Sequence, residues 1–255
     1  MMRNLVAILI LIVGLIPTCS FAAKNDMDLY LLIGQSNMAG RGVLTAANRI
    51  SADRVFKLDA SGRWKRAEEP IHFDKKLAGA GLAASFARAM ADRNADVKIG
   101  LIPCAVGGTG VDRWVEGGDL WSNAVRRTKI ALKSGKLKGI LWHQGEHDAT
   151  PELAPKWGPK FKSVIESFRK EFGDVPFVAG ELGPYLENFR GKKDGRRILW
   201  KAINSQLHEL KGKVPGYCVV SSEGLVDKGD KLHFNTESLR KLGRRYADAI
   251  LSFVK

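Results

Sequence analysis

The sequence predicts an α/β domain: a three-layer α/β/α sandwich with a five-stranded parallel sheet. Three observations carry that expectation. Short apolar runs alternate with amphipathic segments along most of the chain. The runs are continuous rather than alternating, as in strands buried on both faces. A helix-length segment follows each run, which is the spacing of right-handed crossovers between parallel strands.

The first strand is read at residues 29–34 (LYLLIG), ending at a glycine. Residues 82–94 (LAASFARAMADRN) place small and apolar side chains at helical spacing, and residues 97–105 form the second strand. A helical pattern at 120–133 leads to the third strand at 139–143 (GILWH), and another at 159–171 leads to the fourth at 176–180. The helical segment 197–210, the fifth strand at 217–221 and a final helix at 237–253 complete the alternation. RVFKLD and GRWKRA, flanking the turn ASG, read as a hairpin inserted after the first strand. With no repeat, low-complexity linker or composition break, residues 23–255 read as one domain. Within it, residues 188–196 (NFRGKKDGR) form a long surface loop.

Residues 1–22 have the layout of a secretory signal: Arg3, an apolar run, then Ser20 and Ala22 before the expected cut. The run is shorter than the roughly 20 residues a spanning helix needs, so the expectation is export to the periplasm or beyond, with no stable membrane insertion after cleavage. Two cysteines remain, Cys104 and Cys218, too few for a disulfide framework and open to pairing or to life as free thiols. Lys plus Arg outnumber Asp plus Glu by 41 to 27, a formal charge of +14. Such an excess favours anionic partners in general. The cations are scattered over turns and polar helix faces without interleaved aromatics, so they read as solvated faces, with no nucleic acid partner expected.

Open parallel sheets bind ligands beyond the carboxyl ends of their strands. The polar or Gly-rich clusters GQSNMAG, VGGTGVDRW, HQGEHDA, ELGPY and DKGDKLHFN each follow a strand, so they must share one edge of the sheet. Ser36 in the first is either a helix cap or a nucleophile. Met38 stands where the nucleophile elbow G-x-S-x-G has its second glycine, so the layout is not that of an α/β-hydrolase. Of the five histidines, His233 follows Asp230 by three residues, and a D-x-x-H turn lets the carboxylate fold back on the imidazole and orient it as a base. Gly107 and Gly108 allow a main-chain N–H to approach a substrate oxygen, and Gln144 adds a side-chain donor. The bland reading of these glycines is a plain turn.

GQSNMAG, PCAVGGTGVDRW, WHQGEHDA and DKLHFN, in this order, resemble the SGNH hydrolase superfamily, in its branch of sialate O-acetylesterase-like and acetylxylan esterase-like carbohydrate esterases. The resemblance implies a flavodoxin-like fold, Ser36 as nucleophile with its own N–H in the oxyanion hole, and Gly108 and Gln144 as further donors. It also implies His233 as base, Asp230 as its acid, Glu146 as a secondary acid partner, and no cofactor. Two departures sit at the mouth of the expected site and bear on substrate preference: His147 replaces a small residue, and Lys231 replaces a glycine. Gln35 and Asn37, flanking Ser36, are expected substrate contacts. Trp114, with Trp142 a weaker candidate, is either a sugar platform or core. The resulting expectation is an exported serine esterase that removes O-acetyl groups from a polysaccharide or a sialic acid. Two alternatives stand beside it. One is a non-catalytic secreted glycan-binding domain. The other is a zinc hydrolase using the H-x-x-E-H match of His143, Glu146 and His147, although that motif needs a helix and Gly145 and a strand-like lead-in argue against one.

Overall fold

The computed structural model describes residues 27–189 and 198–253. The signal-like segment 1–22 and most of the loop 188–196 lie outside the described residues. Strands β1 (Met27–Gly34), β2 (Val55–Leu58), β3 (Trp64–Arg66), β4 (Lys98–Pro103), β5 (Gly135–His143), β6 (Phe177–Gly180) and β7 (Tyr217–Val220) form one sheet in the order β3-β2-β4-β1-β5-β6-β7. All neighbours are parallel except the β2–β3 pair. The five expected strands are β1, β4, β5, β6 and β7. The sheet has seven because the hairpin extends it rather than standing aside: Val55 to Lys57 pair in parallel with Ile99 to Leu101. β3 closes that edge with exposed Lys65 and Arg66, charges that discourage edge-to-edge association.

The single-turn α1 (Ser36–Ala39) is an addition that the periodicity did not place, while helices α2 (Leu82–Arg93), α3 (Asp119–Ala131), α4 (Ala154–Phe172), α5 (Trp200–Glu209) and α6 (Thr236–Leu251) fall on the five expected helical segments, α4 starting five residues before 159. β5 begins four residues earlier than its apolar run, at Gly135 rather than 139. Its first half alternates exposed Lys136 and Lys138 with buried Gly135 and Leu137, a pattern that a search for continuous apolar runs passes over. α4 begins at Ala154 with Pro155 in its first turn, where the missing N–H costs no helical bond.

Strand pleating divides the interior into two cores. On β1, Leu29, Leu31 and Ile33 face α3, α4 and α5, while Tyr30 and Leu32 face α2 and α6. The first core holds the large rings: Trp157 stacks on Phe161 with centroids 4.7 Å apart, and Trp114 meets Trp142 edge-on at 5.8 Å. Such rings each remove roughly 150–250 Å² from water, about 4–6 kcal/mol of gross burial at 25 cal/mol/Å². Cys104 lies in the first core, while Cys218 packs against the second; both are free thiols. The fold thus turns every βα loop toward one rim of the sheet.

Candidate active site

At that rim a cavity of about 360 Å³ is lined by residues from each of these loops. Gln35, Ser36 and Arg41 follow β1, Lys75 and Leu77 follow β3, and Gly107 and Gly108 follow β4. Glu146 and His147 follow β5, Phe189 follows β6, and Leu232 and His233 follow β7. Residues almost two hundred positions apart meet on its floor. His233 Nε2 lies 3.0 Å from Ser36 Oγ, and His233 Nδ1 lies 2.7 Å from Asp230 Oδ2.

Local folding explains why these three groups align. Ser36 is the first residue of the single-turn helix α1, directly after buried β1, so its side chain is held at the strand end. Asp230 Oδ1 accepts the N–H groups of Leu232 (3.0 Å) and His233 (2.8 Å), which folds the D-x-x-H turn back on itself. Burial works against ionisation of Asp230, but the His233 ring and these two N–H donors outweigh it and hold the carboxyl at about 2. For His233 burial is the larger influence and pushes the imidazole below its ordinary 6.5, against the opposing pull of Asp230. Lys231 adopts φ 58°, a left-handed conformation that glycine tolerates more easily. Its N–H is held by Asp227 Oδ2 at 2.6 Å.

Neither the Ser36 N–H nor the Gly108 N–H has an acceptor among the described residues. Gly108 is exposed to the cavity at φ 80°. The other expected donors are committed elsewhere. Gly107 N–H donates to Asp74 Oδ2 at 2.9 Å. Gln144 is fully buried on the core side of its turn. There its amide nitrogen donates to Thr109 O (3.0 Å) and to Asp148, and its oxygen accepts from Trp157 Nε1 (3.0 Å). A group so engaged cannot reach a substrate oxygen, so the expectation for Gln144 is corrected. Gln35 lines the cavity instead: its Oε1 accepts from His147 N (3.3 Å), and its amide nitrogen has no acceptor among the described residues.

Asn37 and Trp114 are also corrected. Asn37 is buried and serves as a clamp. Its nitrogen donates to Glu146 Oε1 (2.5 Å) and Leu232 O (3.2 Å), and its oxygen accepts from Phe234 N (3.1 Å). It therefore grips the backbone on both sides of His233. Trp114 and Trp142 have no exposed surface and belong to the core, which removes both as sugar platforms. Glu146 reaches the cavity wall, where burial raises its carboxyl to about 7 despite the Asn37 hydrogen bond. Its bond to Asn37 joins it to the His233 loop through a neighbour rather than directly. The H-x-x-E-H match is not helical. His143 ends β5, with its ring buried against Phe234 and its Nδ1 3.3 Å from Tyr246 Oη, while His147 is exposed. Burial pushes His143 down to about 3. Among the described residues no three His, Cys, Asp or Glu side chains are grouped to hold a metal ion, so the zinc arrangement is not assembled.

The profile of the family described as carbohydrate esterase, sialic acid-specific acetylesterase, matches residues 26–252. The chain belongs to this family of carbohydrate esterases. A probable carbohydrate esterase of Arabidopsis thaliana is 31% identical over 251 residues, covering 88% of this chain and 90% of the relative. A crystal structure of an Arabidopsis thaliana protein is 30% identical, with a TM-score of 0.78 over 89% of this chain and 98% of that one. NanS shares the fold at 18% identity and a TM-score of 0.73, over 90% and 98% of the two chains. An acetylxylan esterase from Geobacillus stearothermophilus shares it at 12% identity and a TM-score of 0.55, over 88% and 94%. The SGNH-like carbohydrate esterase fold expected from the four sequence blocks is thereby established, and this esterase's cavity residues can be read as its active-site candidates. Arg41, Lys75, Leu77, Phe189 and Leu232 were not singled out from the sequence. Leu232 lies inside the DKLHFN block and Arg41 directly follows GQSNMAG, but neither has a motif role, and only the folded rim brings the five together.

Proposed function

We propose that this esterase removes acetyl groups from sugar hydroxyls through an acetyl-enzyme on Ser36. His233 Nε2 takes the Ser36 proton as Oγ attacks the ester carbonyl, and the ionised Asp230 holds the imidazole in the tautomer this requires. The oxyanion is met by the N–H groups of Ser36 and Gly108, with Gln35 Nε2 as side-chain donor, each worth about 2.7–4 kcal/mol in the transition state. His233 then protonates the departing sugar oxygen. It next deprotonates a water that attacks the acetyl carbonyl, releasing acetate and restoring Ser36. None of these steps calls on a cofactor.

The observation that carries the reading is the unbroken Asp230–His233–Ser36 relay, with contacts of 2.7 and 3.0 Å at the cavity floor. Sialic acid, the substrate in the family's description, leads the substrate classes, and acetylated xylan stands next because an acetylxylan esterase shares the fold. The signal-like residues 1–22 support an exported enzyme acting on such glycans. Ser36→Ala should lower turnover of p-nitrophenyl acetate by at least about 10³-fold with unchanged circular dichroism; retained turnover would discard Ser36 as nucleophile. Acetate release from acetylated sialic acid, xylan, mannan and pectin identifies the sugar.

A further inference from the structure

Adjacent residues on the loop after β3 hold both polar groups of Gly107. Asp74 Oδ2 accepts the Gly107 N–H at 2.9 Å, and Lys75 Nζ donates to the Gly107 carbonyl at 2.8 Å. Asp74 is itself fixed by Arg41, whose Nη2 lies 2.6 Å from Oδ2; the two side chains are 1% and 2% exposed. Burial opposes ionisation of Asp74, but Arg41 and the Gly107 N–H hold its carboxyl below the ordinary value. The Arg41–Asp74 pair is balanced in charge. Lys75 makes no ion pair among the described residues, so its charge is left to the loop.

The Gly107 carbonyl and the Gly108 N–H belong to one peptide unit. In a trans peptide these two groups point in opposite directions, so an ammonium on the carbonyl aims the N–H away from itself. It also deepens the polarisation of the amide, because a charged donor on the oxygen strengthens the hydrogen-bonding power of the nitrogen on the same unit. Both Lys75 and Gly108 line the cavity, and a Cβ on Gly108 would lie 3.8 Å from Nζ, so the charge sits against the peptide it acts on. A Cβ on Gly107 would fall 2.3 Å from Arg41 Nη2, so only glycine allows the clamp to close this tightly.

We propose that Lys75 is a positioning residue for the oxyanion hole: by holding the Gly107 carbonyl, with Asp74 holding the Gly107 N–H, it fixes and polarises the Gly108 N–H. This rests on the reading that Ser36 is the nucleophile and Gly108 an oxyanion donor. An alternative use of the same ammonium, direct recognition of a substrate carboxylate, makes a different prediction.

The test compares the full-length esterase with Lys75→Met, which keeps an apolar stem and removes the charge, and with Lys75→Arg, which restores a cationic donor. Substrates are p-nitrophenyl acetate, which is neutral, and an O-acetylated sialic acid, which is anionic. Lys75→Met should lower kcat about tenfold on both substrates with KM changed less than twofold, a fraction of the loss from deleting an oxyanion donor outright. Lys75→Arg should recover part of the loss. A boronic acid that forms a tetrahedral adduct should bind Lys75→Met more weakly by the same factor as the fall in kcat/KM, while the acid limb of the pH profile stays in place. A loss confined to KM for the sialic acid ester would assign Lys75 to carboxylate recognition and overturn the proposal, as would unchanged kcat on both substrates. Ser36→Ala, run in parallel, separates the two claims. If that variant is inactive and Lys75→Met is unimpaired, only the Lys75 role fails; if Ser36→Ala turns over, the underlying mechanism fails with it.

Discussion

In the proposed mechanism His233 must be neutral to accept the Ser36 proton, and burial sets its pKa below 6.5 despite Asp230. The sign is therefore definite: kcat/KM rises with pH as the ring loses its proton. A pH profile on p-nitrophenyl acetate should place the midpoint of this limb below pH 6.5; a midpoint above 7, or a flat profile from pH 5 to 8, contradicts the general-base role. Glu146 behaves oppositely. Its carboxyl is raised from 4.5 to about 7 by burial, so the folded protein holds a proton that the unfolded chain releases earlier. This contribution to stability is fully present below the unfolded value and is lost as pH rises from about 4.5 through about 7. Glu146→Gln, which keeps an oxygen for Asn37, should remove that slope. Urea titrations at pH 5 and pH 8 should show the wild type losing ground to the variant by on the order of 2 kcal/mol; equal pH dependence in the two would show that Glu146 titrates normally.

The meeting of Ser36, Asp230 and His233 was legible because Asp230 and His233 lie three residues apart in a turn and the serine follows an apolar run. Gln144 was not, because its facing depends on where β5 ends. His143 is the last strand residue, and the next side chain turns inward to Trp157 rather than outward to the cavity. Asp74 and Lys75 belong to no pattern: their role exists only once the loop after β3 lies against the loop after β4.

Elements meet where small residues allow it. Helices α2 and α6 pack so closely that a Cβ on Gly243 would lie 2.1 Å from Ser85 Oγ and 2.2 Å from Leu82 O. Gly243→Ala gains about 1 kcal/mol of helix propensity. Forcing backbone apart in a packed core costs about 1–3 kcal/mol, and the obstruction here includes a main-chain oxygen that cannot rotate away. The packing term wins, so the variant should be less stable by denaturant titration, with a lower midpoint at unchanged m value. A raised midpoint would mean that α6 is free to shift. The make-up of the sheet was legible in part. The parallel core followed from continuous apolar runs, whereas the hairpin's place on the edge did not, because β2 buries only its end residues Val55 and Leu58 and so has no continuous apolar signature.

At the scale of the molecule, the sheet acts as a collector. Its parallel strands carry every loop crest to one rim, and the cavity there joins residues from Gln35 to His233. A larger depression of about 590 Å³ lies along the β2–β3 hairpin between Lys57, Lys65 and Phe73, but it contains none of the Ser36–His233–Asp230 set. Some cations pair with carboxylates at the surface, as in Lys129–Glu171 and Lys170–Glu116, contacts that contribute little to stability and leave the excess of cations unchanged. Among the described residues no helix is long and apolar enough to cross a membrane. The family, the fold and the esterase class thus rest on the whole chain, whereas the proposed chemistry rests on one hydroxyl.

The most direct measurement is covalent labelling with a fluorophosphonate, followed by peptide mass spectrometry. One equivalent should attach to Ser36 with complete loss of acetylesterase activity, and His233→Ala should slow the labelling sharply. Stoichiometric label on any other residue, or full activity after Ser36 has been modified, would contradict the account.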